Sequence, residues 1–213
     1  MSEQDPAGTV ALAYLHPGHV QHAFMASVLQ ARMRHPGLTI WPLRTGANSI
    51  PRSRNLAVRM LLDSDKRWLW FVDTDIGFPP TMLENMLALA GPERPVITAI
   101  YLAVVDGEPD GMGGYGADVH PAVYEFNQQD QVVEIVRWPQ PLPDDQLIKV
   151  GACGAGMLLI ARDVLDRVGP DPFDRIGALG EDLSFCFRLR ELNIPIHAHT
   201  GLITTHTKMI PLR

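Results

Sequence analysis

Two kinds of hydrophobic pattern alternate along the chain. Short runs dominated by apolar residues are typical of buried strands, and longer segments with an apolar residue every three or four positions are typical of helices. The short runs cover residues 9–15, 38–43, 68–72, 95–101, 157–161 and 194–199. The helical segments cover residues 20–33, 52–62, 82–90, 162–168 and 181–192. This alternation predicts an α/β fold with a mostly parallel central sheet flanked by helices.

Local signals add detail to two of these elements. The segment WLWFV at 68–72 is apolar throughout, as expected for a strand that is covered on both faces. Thr81 and Glu84 have the spacing of a capping box, which predicts that a helix begins just after Thr81. In the helix over 52–62, Leu56, Met60 and Leu61 are expected on one face, as the helical spacing indicates.

The strand–helix alternation breaks after the fourth predicted strand. The glycine-rich segment DGEPDGMGGYG at 106–116 predicts a mobile loop, and residues 119–138 have room for one hairpin. We therefore predict a single domain with a small hairpin and loop insertion, and no second domain boundary. The insertion covers about 106–147, and the parts of the domain before and after it cover about 8–105 and about 148–213 of the 213 residues.

Composition and charge narrow the classes of function. The net charge of −6 argues against bulk nucleic-acid binding through phosphates, which needs a basic face. No apolar run approaches the roughly 20 residues of a membrane span, so we expect no membrane contact. Two cysteines without a CxxC pair signal no zinc site. We expect a cytoplasmic protein with both thiols reduced.

The strongest chemical signal is a pair of carboxylates directly after the strand at 68–72. Ligands in open α/β sheets lie beyond the carboxyl ends of the strands, where Asp73 and Asp75 stand. At extended spacing, residues i and i+2 point the same way, so the two carboxylates would converge. Like charges at close range repel, and a divalent cation relieves that repulsion. Oxygen ligands of this kind favour Mg²⁺ or Mn²⁺.

Further titratable residues follow towards the end of the chain. Glu181 and Asp182 open the last helix, where acids are favoured by the helix dipole and where either one could also serve as a general base. His206 follows the last predicted strand, and imidazole suits Mn²⁺ better than Mg²⁺ as a partner for carboxylates.

The order of these motifs resembles the GT-A-fold glycosyltransferases, especially the compact family 2-like type found in bacteria and phages. The matching segments cover most of residues 44–210, and they are NSIPRSRNLAVRMLL, WLWFVDTDIGFPPTML, GACGAGMLLIARDVL, GEDLSFCFRLRELNIPI and TTHTK. The segment at 106–147 has no counterpart that we can name.

The resemblance implies a role for each candidate residue. Asp182 would be the catalytic base, with Glu181 as the alternate. Residues implied to lie against the donor are Arg54, Asn55, Asp73, His16, Gly154 and Gly156. Residues implied to hold Mn²⁺ or Mg²⁺ are Asp73, Asp75 and His206.

The function implied is a metal-dependent transfer of a sugar from a nucleoside diphosphate sugar, with a UDP-sugar favoured, to an acceptor hydroxyl. We expect inversion with Asp182 as base, and an acceptor on a protein, a modified nucleobase or a glycan. A phage-encoded enzyme of this kind would act in the host cytoplasm. No GxGxxG follows the first strand, so a dinucleotide site is not indicated. The alternatives are a nucleotidyltransferase acting on a sugar phosphate and a catalytically inactive module that binds nucleotide sugars.

Overall fold

The structure, a computed structural model, describes residues 6–45, 49–109, 115–129 and 132–207. Its five helices are α1 His22–Arg34, α2 Ile50–Leu62, α3 Met82–Leu89, α4 Arg162–Val168 and α5 Glu181–Glu191. The strands of the main sheet are β1 Val10–His16, β2 Thr39–Arg44, β3 Trp68–Val72, β5 Val96–Ile100, β10 Leu147–Val150, β12 Met157–Ala161 and β13 Ile196–Ile203. The remaining strands are β4 Ile76–Gly77, β6 Leu102–Pro109, β7 Tyr115–Pro121, β8 Val123–Gln129, β9 Val132–Arg137, β11 Ala152–Cys153 and β14 Thr205–His206.

The main sheet has the strand order β10-β13-β5-β12-β3-β1-β2. β1 is parallel to β2 and β3, β13 is parallel to β5, and β12 lies antiparallel between β3 and β5. Five strands therefore share one direction, which confirms the predicted mostly parallel sheet. Their carboxyl ends meet at one edge of the sheet, together with the start of β12.

Helices cover both faces of the sheet. On β3, Leu69 and Phe71 belong to one buried cluster, which also contains residues of α2, α4 and α5. The alternate residues Trp70 and Val72 belong to a second cluster, with residues of α1 and α3. Both faces of β3 are thus covered by helices, which is what the absence of polar residues from its sequence predicted. Burial of each large side chain contributes about 1.5–3 kcal/mol to folding.

The region between β5 and β12 differs from the sequence prediction. The segment at 106–116 is not a loop throughout, because β6 extends to Pro109 and β7 begins at Tyr115 as its antiparallel partner. The glycine-rich residues 110–114 lie outside the described residues. The single predicted hairpin is confirmed as β8–β9, and β11 joins it as a third strand.

Two predictions about helices are right only in part. In α2, Leu61 is buried, but Leu56 on the same predicted face is 46% exposed. The helix α3 begins at Met82, directly after Thr81 as predicted, but the capping box itself is absent. Thr81 has helical backbone angles and makes no capping hydrogen bond, and the carboxylate of Glu84 accepts hydrogen bonds from the Arg34 guanidinium of α1 at 2.5 and 3.0 Å. A capping hydroxyl needs an extended backbone, which Thr81 lacks. In the described ranges, no helix has the length and apolar character needed to cross a membrane.

Candidate active site

A cavity of about 550 Å³ opens at the edge of the sheet where the five parallel strands end. Its charged side is formed by Arg54 of α2, Asp73 and Asp75 after β3, and Glu181 and Asp182 of α5. The structure thus brings together five of the residues that the sequence singled out, from three separate segments of the chain. Their convergence follows from the sheet, because each segment begins or ends at the same edge.

The DTD segment is not extended, so the backbone spacing from which convergence was predicted is wrong, although both carboxylates line the same cavity. β3 ends one residue before Asp73, and the chain then forms a turn in which Ile76 N donates to Asp73 O at 3.1 Å. The turn sends the two side chains to different partners. Arg54 Nη2 lies 3.4 Å from Asp73 Oδ1, and His206 Nε2 lies 3.1 Å from Asp75 Oδ2.

Asp75 and His206 meet through a short strand pairing. β4 and β14 run antiparallel, with His206 opposite Ile76, and Thr207 N donates to Asp75 O at 2.8 Å. On its other side, the His206 ring has Nδ1 2.5 Å from Leu102 O. A carbonyl oxygen can only accept, so Nδ1 carries a proton. In the neutral ring, Nε2 then presents its lone pair towards the carboxylate of Asp75.

This donor set fits a divalent metal. An imidazole lone pair and a carboxylate oxygen that face each other at 3.1 Å need a proton or a cation between them. A hydrogen bond from the opposite ring nitrogen to a carbonyl is the usual orientation of a metal-binding histidine. Within the described ranges, no group of three or more His, Cys, Asp and Glu residues is placed to hold an ion. Asp75 and His206 would therefore bind an ion jointly with ligand oxygens from a substrate.

Arg54 is the buried cation of the site, with only 6% of its side chain exposed. Its guanidinium lies over the rings of Phe71 and Phe173, at 5.5 and 5.7 Å from their centres. Nε is 3.7 Å from Glu181 Oε1, and within the residues described neither Nε nor Nη1 makes a hydrogen bond. Buried N–H donors without acceptors are costly, so the group is suited to an anion that enters the cavity.

Asn55 has a different place from the one that the resemblance implied. It is buried and does not line the cavity. Its Nδ2 donates to Asp174 Oδ1 at 2.8 Å, and its Oδ1 accepts from Phe173 N at 2.9 Å. These bonds fix the loop that carries Phe173, which lies against Arg54. A contact between Asn55 and a donor stays a prediction.

The two acids of α5 have different surroundings. Glu181 faces Arg54, whereas Oδ1 of Asp182 accepts from Leu183 N at 2.8 Å. Burial is the main reason that the pKa of Asp182 is raised above its ordinary value. The charge of Arg54 opposes that rise, and the charges of Glu181 and Asp73 add to it. A carboxylate with a raised pKa at the wall of a cavity is a good candidate for a general base.

Gly154 and Gly156 are glycines because of Tyr101, a residue that sequence reasoning missed. A β-carbon on Gly154 would overlap the Tyr101 hydroxyl, and one on Gly156 would lie 2.9 Å from Tyr101 Cζ and from Asp73 Oδ2. Burial, followed by the charges of Asp73 and Asp182, raises the pKa of Tyr101 well above its ordinary value. The sequence feature that could have identified Tyr101 is its position directly after the end of β5, at the edge of the sheet where ligands bind in such folds.

His16 ends β1, and its ring lies 5.9 Å from the ring of Tyr14. The loop that follows lines the cavity through Pro17 and His19, and His16 itself does not. The loop after β1 therefore lies at the cavity, whereas a donor contact by His16 stays a prediction.

Solved structures share this architecture. A197 from STIV matches with a TM-score of 0.62 and 18% sequence identity, over 94% of this chain and 86% of that one. GalNAc-T7, solved with UDP, GalNAc and Mn²⁺, matches with a TM-score of 0.60 and 10% identity over 94% of this chain. This chain spans 44% of the GalNAc-T7 chain. No protein-family model and no curated protein matches the sequence. At these identities the likeness shows the fold alone, and the fold is GT-A-like, as the order of motifs predicted.

Proposed function

We propose that the protein is a metal-dependent glycosyltransferase that uses a nucleoside diphosphate sugar, with a UDP-sugar as the favoured donor. The observation that supports this proposal is the guanidinium of Arg54, a residue that lines the cavity and whose buried Nε and Nη1 lack hydrogen-bond acceptors among the described residues. A diphosphate is the ligand that satisfies it, because phosphate oxygens accept the forked hydrogen bonds of arginine. GalNAc-T7, which shares the fold, was solved with UDP, GalNAc and Mn²⁺.

Asp75 and His206 would hold the ion, with Mn²⁺ favoured over Mg²⁺ because of the imidazole. When bound, such an ion acts as a Lewis acid for the leaving diphosphate. Two protein ligands are enough, because ions of this class commonly complete their coordination with substrate phosphates and water. Asp73, paired with Arg54 at 3.4 Å, would contact the ribose or add a carboxylate to the ion.

Asp182 is the better of the two candidate bases. Glu181 is already paired with Arg54, whose Nε lies 3.7 Å from its carboxylate. Asp182 has a raised pKa and lies in the same cavity. In the proposed step, the Asp182 carboxylate takes the proton of the acceptor hydroxyl. That oxygen bonds to the anomeric carbon as the bond from the carbon to the diphosphate oxygen breaks, with inversion. The acceptor hydroxyl belongs to a protein, a modified nucleobase or a glycan.

A donor screen tests the proposal. The purified protein is incubated with Mn²⁺ and each of a set of nucleoside diphosphate sugars, and release of the nucleoside diphosphate to water or to added acceptors is measured. We expect slow release from one donor, lost in Asp182→Asn. Release of pyrophosphate from a nucleoside triphosphate and a sugar 1-phosphate would instead identify a nucleotidyltransferase. Binding of a donor without turnover would identify a binding module.

A further inference from the structure

A second cavity, of about 260 Å³, lies at the edge of the sheet opposite the candidate active site, where β10 and α5 end and β13 begins. Its polar lining residues are Glu125, Lys149, Arg190 and Asn193, and its apolar ones include Ile194 and Pro195. At roughly 1.5 Å per residue, α5 places Arg190 about 12 Å from Asp182 along the helix axis. The two cavities share no lining residue among those described, so they are separate sites.

Backbone hydrogen bonds fix the shape of this second cavity. Asn193 N donates to Arg190 O, and Ile194 N donates to Leu189 O, both at 2.9 Å, which holds the turn after α5. The antiparallel pairing of β10 with β13 holds the strand ends beside that turn. A ligand therefore meets a preformed site, as is usual for small molecules.

Groups of both charges line the second cavity. A β-carbon on Gly151 would lie 2.8 Å from Glu125 Oε2, so the half-buried Glu125 carboxylate occupies the space above this glycine. Burial raises the pKa of Glu125, and the backbone of Gly151 and the charge of Lys149 oppose that rise. The guanidinium of Arg190 lies over the Phe126 ring, 5.5 Å from its centre. The cavity thus combines a carboxylate acceptor with cationic donors and an amide.

This mixture of groups restricts the class of ligand. A phosphate accepts hydrogen bonds and carries negative charge, so it would be repelled by the Glu125 carboxylate. A metal ion would lie against the positive charges of Lys149 and Arg190, and an apolar molecule would leave the polar groups unpaired.

Sugar hydroxyls suit the second cavity, because a hydroxyl both donates and accepts. The C–H groups of a sugar ring can lie against Ile194 and Pro195. The volume of about 260 Å³ is below the range of about 300–1,000 Å³ that is usual for drug-sized ligands, which suits a single sugar residue.

We propose that the second cavity is a saccharide-binding site, in which Glu125 accepts from the hydroxyls of one sugar residue and Lys149 and Asn193 donate to them. Binding there uses none of the residues around Arg54 and does not depend on the proposed function. Within that function, the site would favour a glycan over a protein or a nucleobase as the acceptor.

Saturation-transfer NMR on the full chain tests the site. The probes are the methyl glycosides of glucose, galactose, mannose and N-acetylglucosamine, and a trisaccharide of each sugar, with and without UDP and Mn²⁺. We expect at least one sugar to bind in both conditions. Glu125→Gln should weaken it about tenfold or more, because hydrogen bonds to a charged group are lost. Glu134→Gln, at an exposed position on the neighbouring strand β9, is the matched control and should bind like the wild type.

A second variant keeps the fold and removes the amide. Asn193 has a φ of 54°, where glycine is favoured, so the chain should tolerate Asn193→Gly, with sugar binding weakened several-fold and UDP affinity unchanged. Tighter binding of a trisaccharide than of its methyl glycoside would support the site and identify a glycan as the source of the sugar, and equal affinity would support it with a single sugar.

Several results would overturn the inference. These are no binding of any sugar to the wild type, displacement of the sugar by UDP, and equal sugar affinities in the wild type, Glu125→Gln and Asn193→Gly. Binding of inorganic phosphate that strengthens in Glu125→Gln would show an anion site and would also overturn it. A protein that binds sugar here but transfers none contradicts the proposed function alone.

Discussion

Asp75 Oδ2 and His206 Nε2 lie 3.1 Å apart although the two residues come from distant segments of the chain. β4 carries the first segment, β14 carries the second, and their pairing places Ile76 opposite His206. The hydrogen bond from Thr207 N to Asp75 O continues the same register. The geometry of the pair is thus set by backbone hydrogen bonds, which is how ligands become preorganised for an ion.

Removing one member of this pair should weaken metal-dependent binding. In Asp75→Asn we expect the affinity for UDP in the presence of Mn²⁺ to fall by about 10–100-fold or more, because the loss of a ligand costs at least as much as the loss of its supporting partners. Calorimetry with and without Mn²⁺ measures this change. Asp65→Asn, at a side chain that is 88% exposed, is the control. Equal UDP affinities in Asp75→Asn and the wild type would contradict the metal role.

Arg54→Ala should weaken nucleotide binding without Mn²⁺ as well as with it. The buried guanidinium is the proposed partner of the diphosphate, and loss of a buried charged partner costs about 2 kcal/mol or more, or about 30-fold in Kd. Arg59→Ala is the matched control, on the same helix, with a half-exposed side chain that pairs with Asp171. Thermal unfolding should accompany both measurements, because Arg54 also packs on Phe71. Similar Kd values for the two variants would rule out Arg54 as the diphosphate ligand.

Asp182→Asn should separate binding from chemistry. We expect UDP binding to persist and transfer to fall by about 100-fold or more, since a general base contributes about that much. The melting temperature at neutral pH should rise, because asparagine does not have to be charged in this buried place. Glu181→Gln, one residue away, should lose less activity. Normal transfer by Asp182→Asn would assign the base elsewhere.

The raised pKa of Asp182 predicts the direction in which both activity and folding stability change with pH. The base must be ionised, so kcat/KM should fall as the pH drops through a value above the ordinary aspartate pKa of about 3.9. For stability, a raised folded-state pKa means that the folded chain favours the protonated form. Stability from this group is therefore present below the unfolded-chain pKa and is lost as the pH rises through the folded-state value. Comparison of wild type and Asp182→Asn, by pH–rate profiles and by melting temperature against pH, measures both effects.

Gly154→Ala should destabilise the protein more than an alanine substitution at a glycine whose β-carbon position has no close neighbours. Its β-carbon would overlap the Tyr101 hydroxyl, and overpacking of this kind costs about 1–3 kcal/mol. Because the overlap is with a buried ring rather than a mobile chain end, we also expect transfer to fall. Gly91→Ala is the control, since nothing lies within 4 Å of its β-carbon position. Equal denaturation midpoints of Gly154→Ala and Gly91→Ala would show that the Tyr101 ring can move aside.

The sequence predicted those features whose signal is local. β3 and α4 have the predicted bounds, because a continuous apolar run and a helical period are properties of a few adjacent residues. β4 and β14 were missed because two residues are too few to carry a period. The exposure of Leu56 was missed for another reason, since helical spacing alone does not show which side of α2 packs on the sheet, and the structure buries Ala57, Val58 and Leu61 there.

The site was predicted by two different routes. The position of Asp73 and Asp75 followed from the rule that ligands lie beyond the ends of parallel strands. His206 was noticed as an imidazole after the last predicted strand, but its place beside Asp75 was implied only by the resemblance, because no local pattern connects the two residues. Tyr101 has the same position after β5 as Asp73 has after β3, but as an aromatic residue at the end of an apolar run it carried no chemical signal.

The reversed direction of β12 has a consequence for how such a protein can diversify. β5 ends, and β12 begins, at the same edge of the sheet, so the connection between them, which holds the small strands β6 to β9, the edge strand β10 and the short β11, starts and finishes there. The part of that connection before β10 contributes no strand to the main sheet, so it can lengthen or shorten without shifting β5, β12 or the residues around Arg54. This part of the chain can therefore diverge between related proteins while the strand ends and the charged residues of the cavity stay unchanged.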